Sequence, residues 1–510
     1  MKKQLSDQQV LVCDGAMGTM IQGSGLPSDQ APEWWNLESP DTIGRIHEAY
    51  VEAGAHLVET NTFGGSPLKL REYGLEDQSF AICRAGASLA RDAVGDRALV
   101  AGSVGPTGAL IEPMGTVTFE EMLDAFSVQI AGLADGGADL ILIETMSELM
   151  EVKAALLAAH SKAPELPVIC QMTFEENQMT VMGTSPETAA VVLDRWGADM
   201  IGVNCSTGPA GLLPVIERMS LVTNKPLTVQ PNAGLPVIEG GQVSYRETPE
   251  QMAAYVSRFA DLGVKIVGGC CGTTPEHIAV IRREADRCRY HVPVLPAVTV
   301  FSSRRQTVFP FDGDLLATAL SGAGTEELRP LIKWIREQIR AGCRLLLVDL
   351  PGKEPSFYKE LLLGLKGALD VPLLFPADLG KGLDTALRYC TGVATLINLS
   401  LESSVELWTV ARESGANVVL NATKQVADRP LEERQDELDA AIEKALEMGI
   451  GQERILTDAF RSGDRLNVPK DAAELAQSFA RKGYVQVCPE ASAADWASPE
   501  SGRLLLRREP

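Results

Sequence analysis

Three cysteines stand where apolar runs end. Cys270 and Cys271 lie in Gly268-Gly269-Cys270-Cys271-Gly272-Thr273-Thr274-Pro275, directly after the run Val264 to Val267. Cys205 occupies a similar setting in Met200-Ile201-Gly202-Val203-Asn204-Cys205-Ser206-Thr207-Gly208. Adjacent side chains of an extended strand point to opposite faces, so both thiolates of the pair reach one metal only where the backbone bends, and the flanking glycines permit that bend. Three thiolates at strand ends suit a zinc ion with one coordination position open. Such a trio carries net negative charge, so the ion activates water poorly and suits a soft incoming thiol, held as a nucleophilic thiolate. The chemistry expected is attack of a substrate thiolate on an electrophilic carbon. Two alternatives use the same residues. A closed structural zinc site, with four cysteines or with three cysteines and a histidine, favours C-x2-C spacings and needs a fourth Cys or His, and none stands near these three in the pattern. A vicinal disulfide between Cys270 and Cys271 is strained and out of place in a reducing compartment.

The elements that must carry these residues are visible as eight short apolar runs, each followed by a turn and a helical pattern: Val10 to Cys13, His56 to Thr60, Ala98 to Ser103, Leu140 to Ile143, Val168 to Thr173, Met200 to Val203, Leu227 to Gln230 and Lys265 to Gly268. Several follow a repeated signature in which a glycine closes a helix just before the strand, as in Gly54-Ala55-His56, Gly137-Ala138-Asp139 and Gly197-Ala198-Asp199. Strands apolar on both faces, alternating with amphipathic helices such as Phe119 to Ala134, imply an α/β fold with a parallel sheet under helices, and eight such units point to a closed (β/α)8 TIM barrel. An open doubly wound sheet is the alternative, but no G-x-G-x-x-G turn follows the first strand. In a barrel the catalytic groups sit at the C-terminal ends of the strands. Asp14, Asn61, Glu144, Cys205, Asn232 and the Cys270–Cys271 pair all fall at such ends, so the polar and metal-binding residues collect on one rim.

Residues 289–306 read as a proline-containing linker between a first barrel over 1–288 and a second block over 307–510 that repeats the alternation. Its strands are expected at Thr307 to Phe311, Arg344 to Leu350, Pro372 to Pro376, Ala394 to Leu399, Asn417 to Leu420, Arg454 to Thr457 and Tyr484 to Val487, with Arg503 to Leu506 as a candidate eighth. A second, shorter or degenerate TIM-like barrel is expected.

Composition narrows the function classes. A chain of 510 residues is long for one core, and a hydrophobic share of 45% is that of a globular protein. No apolar run approaches the roughly 18 residues that would span a bilayer, and the polar segment after Met1-Lys2-Lys3 is no secretion signal, so a cytoplasmic protein with no membrane partner is expected. A formal net charge of −22 argues against a phosphate-backbone binder and hence against nucleic acid. The ten cysteines are spread along the chain, and Cys13, Cys83, Cys170, Cys288, Cys343, Cys390 and Cys488 read as small buried hydrophobes.

Four motifs, Asp14-Gly15-Ala16-Met17-Gly18-Thr19-Met20, Glu59-Thr60-Asn61-Thr62-Phe63, Gly202-Val203-Asn204-Cys205 and Gly268 to Pro275, occur in that order and resemble those of the homocysteine S-methyltransferase family, in the variant that forms the N-terminal module of cobalamin-dependent methionine synthases. The resemblance covers about residues 8–288. It implies that Cys205, Cys270 and Cys271 hold zinc, that homocysteine sulfur completes the tetrahedron, and that Asn232 completes the shell when substrate is absent. It also implies that Asp14 and Glu144 hold the substrate ammonium and that the amides around Gly15 and Ala16 receive its carboxylate. Asn61 and Asn204 are rim asparagines that could equally bond loop backbone.

The second block resembles, more thinly, the pterin-binding barrel that follows the homocysteine barrel in those synthases. Asn398 matches that family's strand-end asparagine, and Asp349, Asp378 and Asp458 approximate its acids. Leu350 stands where an asparagine is expected and Ala459 where a proline is expected, departures that bear on methyltetrahydrofolate binding. No D-x-H-x-x-G cobalamin motif occurs in the chain, so methylcobalamin on a separate corrinoid protein is the expected donor. S-methylmethionine or betaine is the alternative donor, and a docking or sensor protein without catalysis is the alternative class.

Overall fold

The computed structural model describes residues 8–239, 242–291, 294–295, 299–308, 315–321, 327–366, 370–421, 430–458, 485–489 and 503–507. The chain divides into two compact units, Met1–Leu295 and Pro296–Pro510. In the first, β1 (Leu11–Val12), β2 (Leu57–Glu59), β3 (Leu99–Val104), β4 (Leu140–Met146), β5 (Val168–Met172), β6 (Met200–Asn204), β7 (Leu227–Gln230) and β8 (Val264–Val267) lie in one parallel sheet. Each falls on one of the eight expected apolar runs. β1 pairs with β8 through Leu11 and Ile266, and a parallel bridge between Cys13 and Leu57 brings β1 to β2, so the sheet curls round to its own first strand.

The repeated glycine signature has a physical reason at each of its positions. Gly137 and Gly197 have φ values of 93° and 91°, the left-handed backbone that ends a helix and suits glycine. Two residues later the side chain ties down the neighbouring strand. Asp139 Oδ2 accepts the Val100 N–H at 2.8 Å, Asp199 Oδ2 accepts the Val168 N–H at 2.8 Å, and His56 Nδ1 accepts the Val12 N–H at 2.9 Å. The signature therefore stops the helix and fixes the register of the next pair of strands. Several helices begin on side-chain caps, with a reciprocal capping box between Thr118 and Glu121 and another between Thr248 and Gln251.

The barrel interior is filled, not hollow. Leu11, Leu57, Leu140, Leu142, Ile169, Met200 and Ile266 form one buried cluster, and burying a side chain of this size contributes about 1.5–3 kcal/mol. This packed floor leaves the strand ends free to carry function.

In the second unit β9 (Leu315–Ser321), β10 (Leu345–Asp349), β11 (Leu373–Pro376), β12 (Thr395–Leu399), β13 (Asn417–Asn421), β14 (Ile455–Asp458), β15 (Val485–Pro489) and β16 (Arg503–Arg507) close into a barrel. Seven run parallel. The eighth, β16, is antiparallel to both β15 and β9, so the barrel departs from the (β/α)8 pattern at its last strand. Thr307 to Phe311, expected as the first barrel strand, contributes Thr307–Val308 to an antiparallel hairpin with Phe301–Ser302 instead. The first barrel strand is Leu315–Ser321. The hairpin is part of the core: Phe301 and Val308 pack with Leu345, Leu374, Ile397, Val419 and Leu456.

Candidate active site and metal centre

The backbone brings the three cysteines together by lacing three loops. Cys205 N–H donates to Gln230 O at 3.0 Å, Cys270 N–H to Pro231 O at 2.8 Å and Ala233 N–H to Cys271 O at 3.0 Å, so the segment leaving β7 is bonded to the loops leaving β6 and β8. Cys205 has a φ of 62° and Ser206 of 63°, the sharp bend needed to turn the thiol inward. The three sulfurs all lie within 4.8 Å of one another, with 3.9 Å between Cys205 and Cys271. All three thiols are free and partly exposed, whereas Cys13, Cys83, Cys170, Cys343 and Cys390 are buried. Cys288 is half-buried. Hydrogen bonds from Cys205 and Cys270 hold the Cys271 thiol down to about 3, while its neighbours are pushed the other way, Cys205 up to about 11 and Cys270 above the ordinary thiol range, so the trio shares one negative charge centred on Cys271.

The donor set fits zinc. Soft sulfurs at this spacing are what a zinc ion prefers, and Asn232, in the middle of the laced segment, has a buried Oδ1 with no hydrogen-bond partner. An orphaned amide oxygen on the segment laced to the cysteine loops is the kind of atom such an ion would satisfy.

Beside the sulfurs lies a cavity of about 240 Å³, lined by Gly15, Ala16, Glu59, Glu144, Cys205, Cys270 and Cys271 among others. Glu144 lies in the last part of β4, where the pairing with β5 is irregular, and accepts the Ser103 hydroxyl at 2.6 Å and the Asn204 amide at 3.1 Å. Burial pushes its carboxyl up to about 7. Glu59, at the end of β2, accepts the Gln230 amide at 2.6 Å, and burial together with the neighbouring Glu144 and Asp14 raises its pKa. Asp14 is placed behind Glu59. It is fully buried, its Oδ2 accepts the Glu59 N–H at 3.0 Å, and the Cys13 thiol donates to its Oδ1 at 3.6 Å. Ala16 N–H donates to Thr273 Oγ1 at 3.1 Å, and a Cβ at Gly15 would lie 2.5 Å from the same hydroxyl, so this turn is held tightly against the loop after β8.

The family model for homocysteine S-methyltransferase matches residues 11–285. The chain belongs to the homocysteine S-methyltransferase family. It is 29% identical over 501 positions to the methionine synthase of Mycobacterium leprae, covering 88% of this chain and 41% of that protein. It is 30% identical over 455 positions to the methionine synthase of Mycobacterium tuberculosis, covering 81% and 38%. The chain thus spans about two fifths of the length of these relatives. Among solved structures, the metallated homocysteine methyltransferase MmuM of Escherichia coli is 26% identical with a TM-score of 0.48, covering 55% of this chain and 98% of that one.

Within this homocysteine S-methyltransferase fold, three site residues carry no mark in the sequence pattern. Glu59 lies inside one of the four motifs, where its neighbour Asn61 stands out as the strand-end residue. Asn61 instead ties loops together, donating to Pro32 O at 2.8 Å and to Asn36 Oδ1 at 3.1 Å. Thr145 follows Glu144 with a φ of 58°, and its hydroxyl accepts the Asn204 amide at 2.7 Å. Tyr245 follows the hairpin of Val237–Glu239 and Gln242–Ser244 and lays its ring against Gly272, the residue after Cys271, while burial and the nearby sulfurs raise the pKa of its phenol. No periodic signal marks Tyr245, because its approach depends on how that hairpin folds back.

In the second unit, Asp349, Asn398 and Asp458 lie at or next to the C-terminal ends of β10, β12 and β14, on one rim. Asn398 has a φ of 67° and Asp458 is buried. Asp378 is exposed in the turn two residues after the end of β11. Ala459 lies outside the described residues. Among the described residues, no helix is long and apolar enough to cross a membrane.

Proposed function

We propose that this chain transfers a methyl group to the thiol of homocysteine, giving methionine, from a methylcorrinoid carried by a separate protein. The observation that carries this reading is the juxtaposition of three free thiols with a cavity walled by Glu59 and Glu144. Cys205, Cys270 and Cys271 would hold zinc, with Asn232 as the fourth donor until substrate sulfur arrives. When bound, the metal would lower the thiol pKa so that homocysteine presents a thiolate at neutral pH.

The chain's own residues then orient the amino acid. Glu59 and Glu144 face the cavity and offer two carboxyls to the substrate ammonium, a charge-assisted contact in a site with few competing cations. Asp14 supports them from behind, accepting the Glu59 N–H at 3.0 Å. The backbone wall at Gly15 and Ala16 lies where the substrate carboxylate would sit. Fixing the amino acid at both ends points its sulfur at the cysteine trio and converts an encounter into an oriented reaction. The sulfur lone pair forms the new S–CH3 bond, and the electron pair of the broken bond stays with the donor.

A role in methyltetrahydrofolate binding for Asp349, Asn398 and Asp458 belongs to the same proposal, supported by their shared rim. Asp378, exposed in the turn after β11, belongs to the same proposal. The experiment is a methyl-transfer assay comparing methylcobalamin, methyltetrahydrofolate with a corrinoid protein, and S-methylmethionine. X-ray absorption at the zinc edge, with and without homocysteine, accompanies it. Methionine formation from the corrinoid donors with one added sulfur neighbour is expected. Full-rate transfer from S-methylmethionine without corrinoid would overturn the donor, and an unchanged sulfur count would overturn the metal's role.

A further inference from the structure

Two glutamines lie end to end inside the first barrel, both almost completely buried, with exposures of 1% for Gln171 and 2% for Gln230. Gln230 Nε2, at the end of β7, donates to Glu59 Oε1 at 2.6 Å, and Gln230 Oε1 accepts Gln171 Nε2, from β5, at 2.7 Å. Gln171 Nε2 also donates to Thr228 Oγ1 at 3.0 Å. A chain of amides thus runs from β5 through β7 to Glu59 on β2, although β8 and β1 separate β7 from β2 in the sheet.

A side chain on β5 reaches β7 only by passing β6. Gln171 is in register with Gly202, and Gly202 with Thr228. A Cβ at Gly202 would lie 2.0 Å from Thr228 O and 2.2 Å from Thr228 Oγ1, the hydroxyl that the Gln171 amide meets. The glycine that opens the motif Gly202-Val203-Asn204-Cys205 therefore leaves room for the amide chain. The arrangement does not satisfy every atom it buries. Gln171 Oε1 is buried with no hydrogen-bond partner among the described residues. Methionine would fill similar space without that cost, so the amide is accounted for by what it holds.

What it holds is Glu59. The Cys13 thiol also donates to Glu59 Oε1, at 3.6 Å, so both contacts fall on one oxygen and Oε2 is left for a ligand in the cavity that Glu59 lines. Gln230 serves the cysteine side as well, because its backbone carbonyl accepts the Cys205 N–H at 3.0 Å. One residue ties the acid of the cavity wall to the loop of a thiol.

We propose that Gln171 and Gln230 are positioning residues that make the site selective for an amino-acid thiol, by fixing Glu59 so that its second oxygen meets the substrate ammonium. The inference rests on the homocysteine reading above and deepens it. A charge-assisted bond gains its strength from distance and direction, and a carboxyl held by the amide chain has both set before the substrate arrives. A thiol of the same length without an amino group makes no use of Glu59, so its binding is indifferent to the two glutamines.

The test is calorimetric binding of two ligands to the zinc-loaded full chain: homocysteine, and γ-mercaptobutyrate, which is homocysteine without its amino group. The native protein should prefer homocysteine. Gln230→Met keeps the backbone carbonyl that Cys205 uses and removes the donor to Glu59. It should lower the preference roughly tenfold, the loss expected for a hydrogen bond to a charged group. Gln171→Met removes the outer links alone and should lower it about threefold, as for a bond between neutral groups. Affinity for γ-mercaptobutyrate should stay native in both variants, which a general loss of structure would not permit. A native preference in both variants, or an equal loss for the two ligands, overturns the proposal, and Gln171→Met decides alone if Gln230→Met fails to fold. Equal affinity of the native protein for the two ligands overturns it as well. A native protein that binds neither ligand refutes the homocysteine reading itself.

Discussion

The Asn204 amide nitrogen donates to Glu144 Oε2 at 3.1 Å, joining the residue before a cysteine of the trio to a carboxyl that walls the cavity. The same side chain is anchored at its other end, its oxygen accepting the Thr145 N–H at 2.8 Å. Asn204 therefore aims Glu144 at the cavity without contacting substrate. Replacing it by leucine, similar in volume but without donors, should raise KM for homocysteine by about tenfold or more, the cost of a lost bond to a charged group. Zinc content should be kept. Steady-state kinetics with metal analysis checks this, and a native KM in Asn204→Leu would remove the assigned role.

Asp14 and Glu59 are adjacent acids with different expected tasks. Glu59 lines the cavity, so Glu59→Gln should weaken homocysteine binding, measured by calorimetry, and leave thermal unfolding close to native. Asp14 holds the seam between β1 and β2 through the Glu59 N–H. Asp14→Ala should therefore cost about 1–3 kcal/mol of stability by leaving that buried donor unpaired. The reverse pattern, with Asp14→Ala stable and Glu59→Gln unfolded, would exchange the two assignments.

The legibility of this chain follows from where its information is local. All eight strands of the first barrel are readable because each is a short run apolar on both faces, and several are introduced by a glycine-stopped helix. The cysteine trio is readable because the ligand types themselves mark strand ends. The second unit misleads at its start. Thr307-Val308-Phe309 is β-branched and aromatic and looks like a strand, whereas Leu315 to Ser321 reads Leu-Leu-Ala-Thr-Ala-Leu-Ser, with little β-branched character. Its extended form comes from pairing with β10 and β16. Glu59 and Tyr245 depend on which neighbours the closed barrel supplies, and one-dimensional spacing carries none of that.

Removing a ligand should separate metal from fold. Cys271→Ala deletes one sulfur of the trio at the rim, while the interior cluster built on Leu57, Leu142 and Ile169 lies on the strands beneath. Zinc affinity should fall by more than about a hundredfold, beyond the loss usual for a residue that only orients a ligand. Circular dichroism and the unfolding midpoint without metal should stay near native. Full zinc retention in this variant would remove Cys271 from the ligand set.

His47, on the helix Pro40–Glu52, is fully buried with neither ring nitrogen hydrogen-bonded, and burial lowers its pKa from 6.5 to about 4. The folded state thus resists a proton that the unfolded chain accepts readily. Well above pH 6.5 both states are neutral at this site and it contributes no pH dependence. As pH falls from 6.5 to 4 the unfolded state gains the proton first, so stability is lost across that window, by about 3 kcal/mol in all. His47→Leu removes the titrating group and keeps an apolar side chain in the same packing. Urea unfolding of the native protein should therefore fall more steeply from pH 7 to pH 4.5 than that of the variant, with the two curves parallel above pH 7. Parallel curves over the whole range would show that His47 takes up its proton inside the fold as readily as outside it.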